Sequence, residues 1–400
     1  MIPESGRRAG LGRRTGARIE QIRWMAKTEQ LEWGGVRREA KTVRLGDYLD
    51  FSNGSTPPVR ESNGRYPVYG ANGAIGYAAQ SNASGPLIVV GRVGSNCGSL
   101  RYCDSDVWVT DNALACRAKY PAETRYWYYA LQTCRLNQHR AGSGQPLLNQ
   151  NVLRNILIWT VAASERHRIG EFLGALDDKI AANERLIEAA EALMLAMVES
   201  VTEYTPLSSL ARRSAASLDP QEFDGIVAHF SLPAFDDGAR PSFVQAQTIK
   251  SAKFLLSEPC VLFSKLNPKI PRIWNVIGLP SEMALASTEF VVLQPIGVNT
   301  SAVWSAVRQP DVLATLQPMA AGMTGSRQRI QPHELLEAVV RDVRRLGTGP
   351  SKTIASLGVL CHRRRTESAC MSSFRDALLP LLMSGKVRAK DAEATLSDVV

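Results

Sequence analysis

The sequence predicts an α+β fold in which two mixed α/β domains are separated by two long antiparallel helices, with a pseudo-twofold internal repeat. Three observations carry this prediction: a β-rich pattern over residues 41–162, a heptad repeat directly after it, and fainter copies of both in the second half. With 400 residues, of which 44% are hydrophobic and 21% charged, the chain is long enough for two or three soluble domains.

Residues 1–40 are predicted to form a disordered basic extension. They carry nine Lys or Arg against five Asp or Glu and lack apolar periodicity. A basic arm on a nucleic-acid backbone and a translation start at Met25 are the alternatives. No apolar stretch follows the first arginines and no apolar run approaches about 18 residues, so we expect a cytoplasmic protein without a membrane span.

The cysteine, histidine and charge content bears on the kinds of site that the chain can hold. The seven cysteines form no CxxC pair and the five histidines are scattered, so neither a disulfide framework nor a metal site is predicted. The net charge of +9 fits a polyanionic partner without proving one.

The first domain is predicted over residues 41–162. Short apolar runs, such as residues 86–90 and 107–109, alternate there with Gly, Asn and Ser turns, which is typical of β-strands.

A long helix is predicted over residues 163–203, with Ser164 as its N-cap. Apolar residues recur there in alternating steps of four and three, and such a narrow seam requires a partner helix. Asn183, the polar member of the seam, is expected to fix the register of the pair. The seam residues are Ile169, Leu173, Leu176, Ile180, Asn183, Ile187, Ala190, Met194, Met197 and Val201.

The partner helix is predicted over residues 349–388, followed by a C-terminal tail at 389–400. Pro380 is expected to kink or end this helix. Arg363, Arg364 and Arg365 lie in its polar middle and are assigned to a helix–helix or subunit interface. Its apolar face consists of Ile354, Leu357, Cys361, Met371, Phe374, Leu378 and Leu382.

Alignment of the chain with itself indicates a duplication, with a second domain over residues 204–348. At an offset of 177, residues 110–112 align with 287–289; at 182, residues 148–149 align with 330–331; at 185, Ile169 aligns with Ile354. An antiparallel return of the second helix would bring Asn183 next to Ser368.

Eight motifs stand out along the chain. They are YPVYGANGAIGY (66–77), VGRVG (90–94), WVTDN (108–112), IGEFLGALDDKIAAN (169–183), FSKLNP (263–268), STEF (287–290), GSRQR (325–329) and FRDALLPLLMSG (374–385). In this order they resemble the target-recognition domains and spacer helices of type I restriction–modification specificity subunits, over residues 42–390. The second domain lacks the Tyr-x-x-Tyr-Gly-x-Asn-Gly run of the first, which suggests unrelated half-sites.

The resemblance implies a non-catalytic protein that reads a bipartite DNA site. Each domain would read one half-site of double-stranded DNA, and the helices would set the spacer and dock two methyltransferase subunits. Restriction subunits would join that core. S-adenosylmethionine would bind the partner subunit, so no cofactor is expected in this chain.

Candidate DNA contacts are polar or cationic residues in or beside Gly-rich loops. Arg pairs with guanine or phosphate, and Gln with adenine. The alternatives are an Asn72–Gly73 hairpin turn, an ion pair between Arg92 and Asp111, and solvated charged loops. The candidates are Tyr69, Asn72, Arg92, Ser95, Asn112, Ser143, Gln145, Lys265, Lys269, Arg272, Thr324, Ser326, Arg327 and Arg329.

Two other functions fit the sequence less well. A fused methyltransferase, or a remnant of one, would need an Asn/Asp-Pro-Pro-aromatic motif, and the Pro57-Pro58 pair stands between Thr56 and Val59. A coiled-coil adaptor or DNA-binding protein outside restriction–modification would explain the heptads but not the repeated domains.

Overall fold

The chain folds into two compact units, which a computed structural model describes at residues 41–140, 147–267, 270–319 and 329–397. Unit 1 comprises Met1–Lys179 and Cys370–Val400, and unit 2 comprises Ile180–Ala369. Each unit contains one domain and one half of each long helix, whereas the sequence predicted the helices as separate segments. The predicted extension at residues 1–40 lies outside the described residues.

Unit 1 is built on a four-stranded antiparallel sheet in the order β2-β8-β5-β6. A second sheet has the order β4-β3-β7, with β3 and β7 parallel, and β1 pairs with β9. The strands are β1 (Lys41–Arg44), β2 (Leu49–Asn53), β3 (Tyr66–Gly70), β4 (Gly73–Ala78), β5 (Leu87–Gly91), β6 (Leu100–Cys103), β7 (Trp108–Val109), β8 (Ala113–Ala118) and β9 (Leu157–Thr160).

The apolar run of β5 explains its central position. All five of its residues are buried, and successive side chains of a strand point to opposite faces of the sheet, so both faces must be covered. The short helices of unit 1 are α1 (Leu45–Tyr48), α2 (Thr124–Thr133) and α3 (Gln150–Asn155), and the long helix α4 (Ala163–Glu199) follows.

A buried ion pair fixes the start of α4 to the first domain. Arg166 Nη2 lies 2.9 Å from Glu123 Oε1, and each side chain is less than a tenth exposed. Trp127 Nε1 donates to the other carboxylate oxygen of Glu123 at 3.1 Å. Gly170 allows the close approach, since a Cβ there would lie 2.9 Å from the backbone nitrogen of Tyr126.

Unit 2 repeats the four-stranded sheet as β11-β19-β16-β17, again antiparallel throughout. Its second sheet has five strands in the order β12-β15-β18-β13-β14, and β10 pairs with β20. The strands are β10 (Tyr204–Pro206), β11 (Ala211–Ser214), β12 (Ser217–Leu218), β13 (Ile226–Phe230), β14 (Ser242–Gln245), β15 (Lys253–Leu255), β16 (Cys260–Ser264), β17 (Ile273–Val276), β18 (Met283–Ala286), β19 (Phe290–Pro295) and β20 (Val339–Arg341).

The remaining helices complete the repeat. The α6 helix stands where α2 stands in unit 1, and α8 stands where α3 stands. The second long helix is α9, and α10 occupies part of the predicted tail at 389–400. The helices are α5 (Leu232–Asp236), α6 (Thr300–Val307), α7 (Pro310–Met319), α8 (Pro332–Glu337), α9 (Thr348–Met383) and α10 (Ala389–Ser397). None of the described helices is long and apolar enough to cross a membrane.

The mixed α/β fold and the predicted duplication are confirmed at the level of topology. The strands β8 and β19 begin at Ala113 and Phe290, which reproduces the offset of 177. The helices α3 and α8 begin at Gln150 and Pro332, an offset of 182, and the long helices begin 185 residues apart.

The two units differ where the first-domain motif is missing from the second. The hairpin between β3 and β4 has a two-residue turn, because Gly70 pairs with Gly73. In unit 2 the equivalent strands β13 and β14 are connected through α5 instead. The absence of an Asn-Gly run therefore corresponds to a longer connection between the same two strands.

One detail at the start of the first long helix differs from the prediction. The α4 helix begins one residue before Ser164, because the carbonyl oxygen of Ala162 accepts the N–H of Arg166 at 2.9 Å. Ser164 is therefore inside the first turn and is not the cap. Pro380 lies within α9, which ends three residues later at Met383.

In unit 1 the two long helices pack antiparallel through aromatic and ionic contacts. The rings of Phe172 and Phe374 meet edge to face with centroids 6.4 Å apart, and Asp177 pairs with Arg375. The seam residues Ile169, Leu173, Leu176, Met371 and Leu378 are all buried.

In unit 2 the helices also run antiparallel, around a polar contact. Asn183, only 2% exposed, donates to Ser368 Oγ at 3.1 Å and to Glu367 Oε2 at 3.0 Å. The predicted proximity of Asn183 and Ser368 is confirmed. Ala190, Met194, Ile354 and Cys361 join the core of the second domain, with Ile187 and Leu357 packed against it and Ile180 half-buried.

The three arginines at 363–365 lie in three different environments. Arg365 forms an ion pair with Glu191 of α4, so it does contact the other long helix. Arg364 pairs with Glu367 within its own helix at 2.6 Å, and Arg363 is exposed.

We predict that Asn183→Ala destabilises unit 2 by about 1–3 kcal/mol, because it removes a buried donor from two acceptors. Denaturant unfolding followed by circular dichroism measures the change. Glu184→Ala, at the exposed next position, is the control and should stay within about 0.5 kcal/mol of wild type. Equal midpoints for the two variants would show that the polar contact contributes nothing.

We also predict that Gly358→Ala destabilises unit 2. The added Cβ would lie 2.0 Å from Ser301 Oγ and 2.8 Å from Ile277 Cδ1. Overpacking costs about 1–3 kcal/mol, more than the gain of about 1 kcal/mol from replacing a helical glycine. The matched control is Gly349→Ala in the same helix, where no atom lies within 4 Å and stability should not fall. A Gly358→Ala protein that unfolds no earlier than this control contradicts the close packing.

Candidate nucleic-acid interface

Three backbone segments meet where β5 leaves the core of unit 1. The N–H of Arg92 donates to the carbonyl of Asn112 at 3.1 Å, and the N–H of Leu148 donates to the carbonyl of Arg92 at 3.0 Å. The turn before β8 is closed by Ala113, whose N–H donates to the carbonyl of Thr110 at 2.9 Å. The first polar residue after the buried strand is thereby held from both sides.

Unit 2 reproduces this arrangement bond for bond. The backbone N–H of Lys265 donates to the carbonyl of Glu289 at 2.9 Å, and the N–H of Ile330 donates to the carbonyl of Lys265 at 3.0 Å. The N–H of Phe290 donates to the carbonyl of Ser287 at 3.0 Å. Lys265 is therefore the structural counterpart of Arg92, and Glu289 is the counterpart of Asn112.

The parallel strand pair of each second sheet joins the same place. Thr110 N–H donates to the carbonyl of Tyr69, and Ser287 N–H donates to the carbonyl of Phe230, both at 2.9 Å. Tyr69, a candidate contact, is half-buried against the core cluster that contains Cys103. Burial, with Cys103 beside it, raises the pKa of Tyr69 to about 12. This environment favours a packing role for its ring.

Arg92 is half-buried, and its guanidinium bonds to a neutral partner. Its Nη1 donates to Asn53 Oδ1 at 3.3 Å, and its Nε is buried without a partner among the described residues. The alternative ion pair with Asp111 is not formed. Asp111 is exposed, and its N–H donates to the carbonyl of Ser55.

The loop after Arg92 closes on itself and presents its middle to solvent. The N–H of Gly98 donates to the carbonyl of Gly91 at 2.8 Å. Gly94 has a φ of +70° and open space around it, and Ser95 is exposed. A loop of this kind lets a backbone approach a flat or charged ligand closely.

The β3–β4 hairpin tip packs beside this loop. The turn residues are Ala71 and Asn72, and not Asn72 and Gly73 as the sequence suggested, because Gly73 with φ +96° already pairs with Gly70 as the first residue of β4. The hydroxyl of Ser99 donates a hydrogen bond to the carbonyl oxygen of Ala71 at 2.6 Å. Asn72 is exposed.

The equivalent place in unit 2 is strongly charged. Arg329 Nη2 lies 3.0 Å from Glu289 Oε1. Burial lowers the pKa of Lys265, Arg329 and Arg213 lower it further, and Glu289 opposes the shift. The Glu289 carboxylate therefore lies near two cations, Arg329 and Lys265, and its Oε2 is buried without a partner in the described part of the chain.

Of the remaining candidate DNA contacts, Arg272 and Asn112 lie among the described residues. Arg272 is held by Asp236 through two hydrogen bonds of 2.7 and 3.0 Å, and the bond to Asp236 raises its pKa. Asn112 is exposed beside Arg92. The following candidates lie outside the described residues: Ser143, Gln145, Lys269, Thr324, Ser326 and Arg327.

Sequence reasoning missed Asn53, Arg213 and Glu289. The offset of 177 had aligned Glu289 with Asn112, so the repeat itself contained the signal for Glu289. Asn53 and Arg213 reach the site only through strand pairing, which no local motif reports. No cluster of three His, Cys, Asp or Glu suited to a metal occurs among the described residues, and all seven cysteines are free.

The two units thus carry two copies of one scaffold, each with a polar loop at the end of a buried strand. Residues 37–192 match the family model of the type I restriction modification DNA specificity domain. The match covers the first domain and most of α4. Residues 37–192 are therefore similar to this domain, and the predicted resemblance is confirmed.

Two further proteins are similar to parts or most of the chain. The type I restriction enzyme EcoprrI specificity subunit of Escherichia coli is 24% identical over 139 residues, which are 35% of this chain and 34% of the relative. The matched segment thus spans about a third of that relative. The crystal structure of a type I restriction-modification S subunit from M. genitalium aligns with a TM-score of 0.61 and 14% identity, covering 88% of this chain and 98% of that one.

Proposed function

We propose that this chain is the DNA specificity subunit of a type I restriction–modification complex and reads a bipartite site, one half-site per unit. The observation that supports this most is the family match at residues 37–192, combined with the recurrence of the same sheet order and the same three backbone hydrogen bonds in unit 2. Because the second domain has the same scaffold as the first, it can present a second set of residues to a second half-site.

The contacts to DNA are proposed at the matched loops. Arg92 in unit 1 and Lys265 in unit 2 carry cationic side chains directly after the buried strands β5 and β16. Arg329 lies beside Lys265, in an isolated bridge with Leu266. Cationic groups supply phosphate affinity, and guanidinium groups also read guanine in the major groove. The exposed Gly94–Asn96 loop adds backbone donors in unit 1.

The long helices are proposed to set the spacer and to dock two methyltransferase subunits, with restriction subunits joining them. In this proposal the chain is non-catalytic and S-adenosylmethionine binds the methyltransferase subunit. The alternative of an adaptor outside restriction–modification leaves the specificity-domain match at residues 37–192 unexplained.

The decisive experiment is selection of binding sites from randomised duplex DNA by the full chain with its methyltransferase subunits. We expect one bipartite motif with a fixed gap, and genome-wide mapping of methylated adenines should return the same motif. A chain that enriches no sequence, or a single continuous one, overturns the proposal.

We predict that Arg92→Ala weakens binding to the selected site by about tenfold and relaxes preference at one half-site only, because each good base contact contributes about 1–3 kcal/mol. Competition binding with duplexes altered in either half measures this. Arg117→Ala is the matched control, since Arg117 lies on β8 towards the far end of the same sheet. Equal weakening on every sequence would identify Arg92 as a phosphate contact instead.

We further predict that one extra heptad inserted in both long helices, next to Asn183 and next to Ser368, lengthens the preferred gap. Seven residues add about 10 Å of helix, or about three base pairs at about 3.4 Å each. Site selection with the doubly extended chain measures the gap. A motif with an unchanged gap and intact half-sites would refute the role of the helices in spacing.

A further inference from the structure

We propose that one structurally equivalent position, Asn112 in unit 1 and Glu289 in unit 2, determines how each half-site is read, with Glu289 acting as a positioning residue for Arg329. This inference rests on the proposed function. It assigns a role to Glu289, which is not one of the candidate contacts named from the sequence, and it predicts different chemistry at two otherwise matching sites.

The equivalence of the two positions follows from the backbone. The carbonyl oxygen of each accepts the N–H of the first residue after the buried strand, Arg92 at 3.1 Å and Lys265 at 2.9 Å. Each also ends the turn that leads into the matching strand, β8 or β19. A side chain at this position is therefore held at the same place on the scaffold in both units.

The Glu289 carboxylate is held at one oxygen and buried at the other. Oε1 forms the 3.0 Å ion pair with Arg329, and Oε2 is buried. The Arg329 side chain is still 53% exposed, so its guanidinium is fixed in place without being covered. A guanidinium carries five N–H donors, and a single ion pair leaves enough of them for a two-pronged contact to guanine.

Charge distinguishes a reading site from a simple phosphate site. Arg329 pairs with Glu289, and Lys265 lies near it. A carboxylate beside these cations repels the DNA backbone and lowers affinity for every sequence. What it provides in exchange is a pre-ordered arginine, which loses less side-chain freedom on binding. Glu289 is therefore expected to lower the affinity for all DNA sequences and to raise the preference for one sequence at the second half-site.

In unit 1 the arginine at the matching site is held without a carboxylate. Arg92 is held by the amide of Asn53, a neutral partner, and position 112 is the neutral Asn112. The two units thus place a cation at one scaffold position, next to a neutral amide in unit 1 and next to an acid in unit 2. Exchanging the charge at this position should change each half-site separately.

The test uses the full chain with its methyltransferase subunits, the randomised duplex selection, and a duplex of unrelated sequence for general affinity. In Glu289→Gln we expect preference at the second half-site to fall by about tenfold, general affinity to rise, and the first half-site to stay unchanged. In Asn112→Asp we expect altered preference at the first half-site only, with lower general affinity.

The matched control is Glu258→Gln, which makes the same charge change at an exposed residue just before the opposite end of β16. It should leave both half-sites unchanged. If Glu289→Gln behaves like this control, or weakens both half-sites alike, the inference is wrong while the proposed function stands. If the wild-type chain selects no bipartite motif, the proposed function fails and the inference fails with it.

Discussion

The constraint on which both recognition domains depend is a strand buried over its whole length. Every residue of β5 and of β16 is buried, so neither strand can hold a charged side chain until it leaves the sheet. The first residues that do so are Arg92 and Lys265. Burial of the strand thus decides where the first cation appears, and the adjoining turn and the segment before α3 or α8 hold it there by backbone hydrogen bonds. Since backbone atoms make these bonds, the scaffold tolerates different side chains at the same place.

The two long helices are held against each other by apolar packing. One buried polar residue fixes the register between them. Aliphatic and aromatic side chains fill the seam within unit 1, where the Phe172–Phe374 contact lies. Within unit 2 the buried Asn183 meets Glu367 and Ser368. A seam slipped by one turn would leave that amide without acceptors, and an unsatisfied buried polar group costs more than the bond contributes when formed. Glycines at 170 and 358 serve the same packing by letting the domains approach the helices closely.

The sequence predicted the long helices and the repeat well because both are periodic or self-similar signals. The offsets of 177, 182 and 185 match the starts of paired strands and helices, although few residues are identical. Ser164 was predicted as a cap from its residue type alone, and the observed hydrogen bonding begins the helix earlier. The hairpin turn was displaced by one residue because Gly73 pairs within the ladder. The ion pairs of Arg272 and Arg329 were invisible, since their partners Asp236 and Glu289 are 36 and 40 residues distant in sequence.

The division of the chain has a consequence for the order in which the protein is made. Unit 2 is one continuous segment, Ile180–Ala369, whereas unit 1 is closed only by residues after Cys370. On a ribosome, the apolar side chains of Leu173 and Leu176 emerge roughly 200 residues before Phe374, which is about 10–40 s at typical elongation rates. The domain synthesised first is therefore the last to bury its seam, and its helix is the surface that a nascent-chain chaperone would meet.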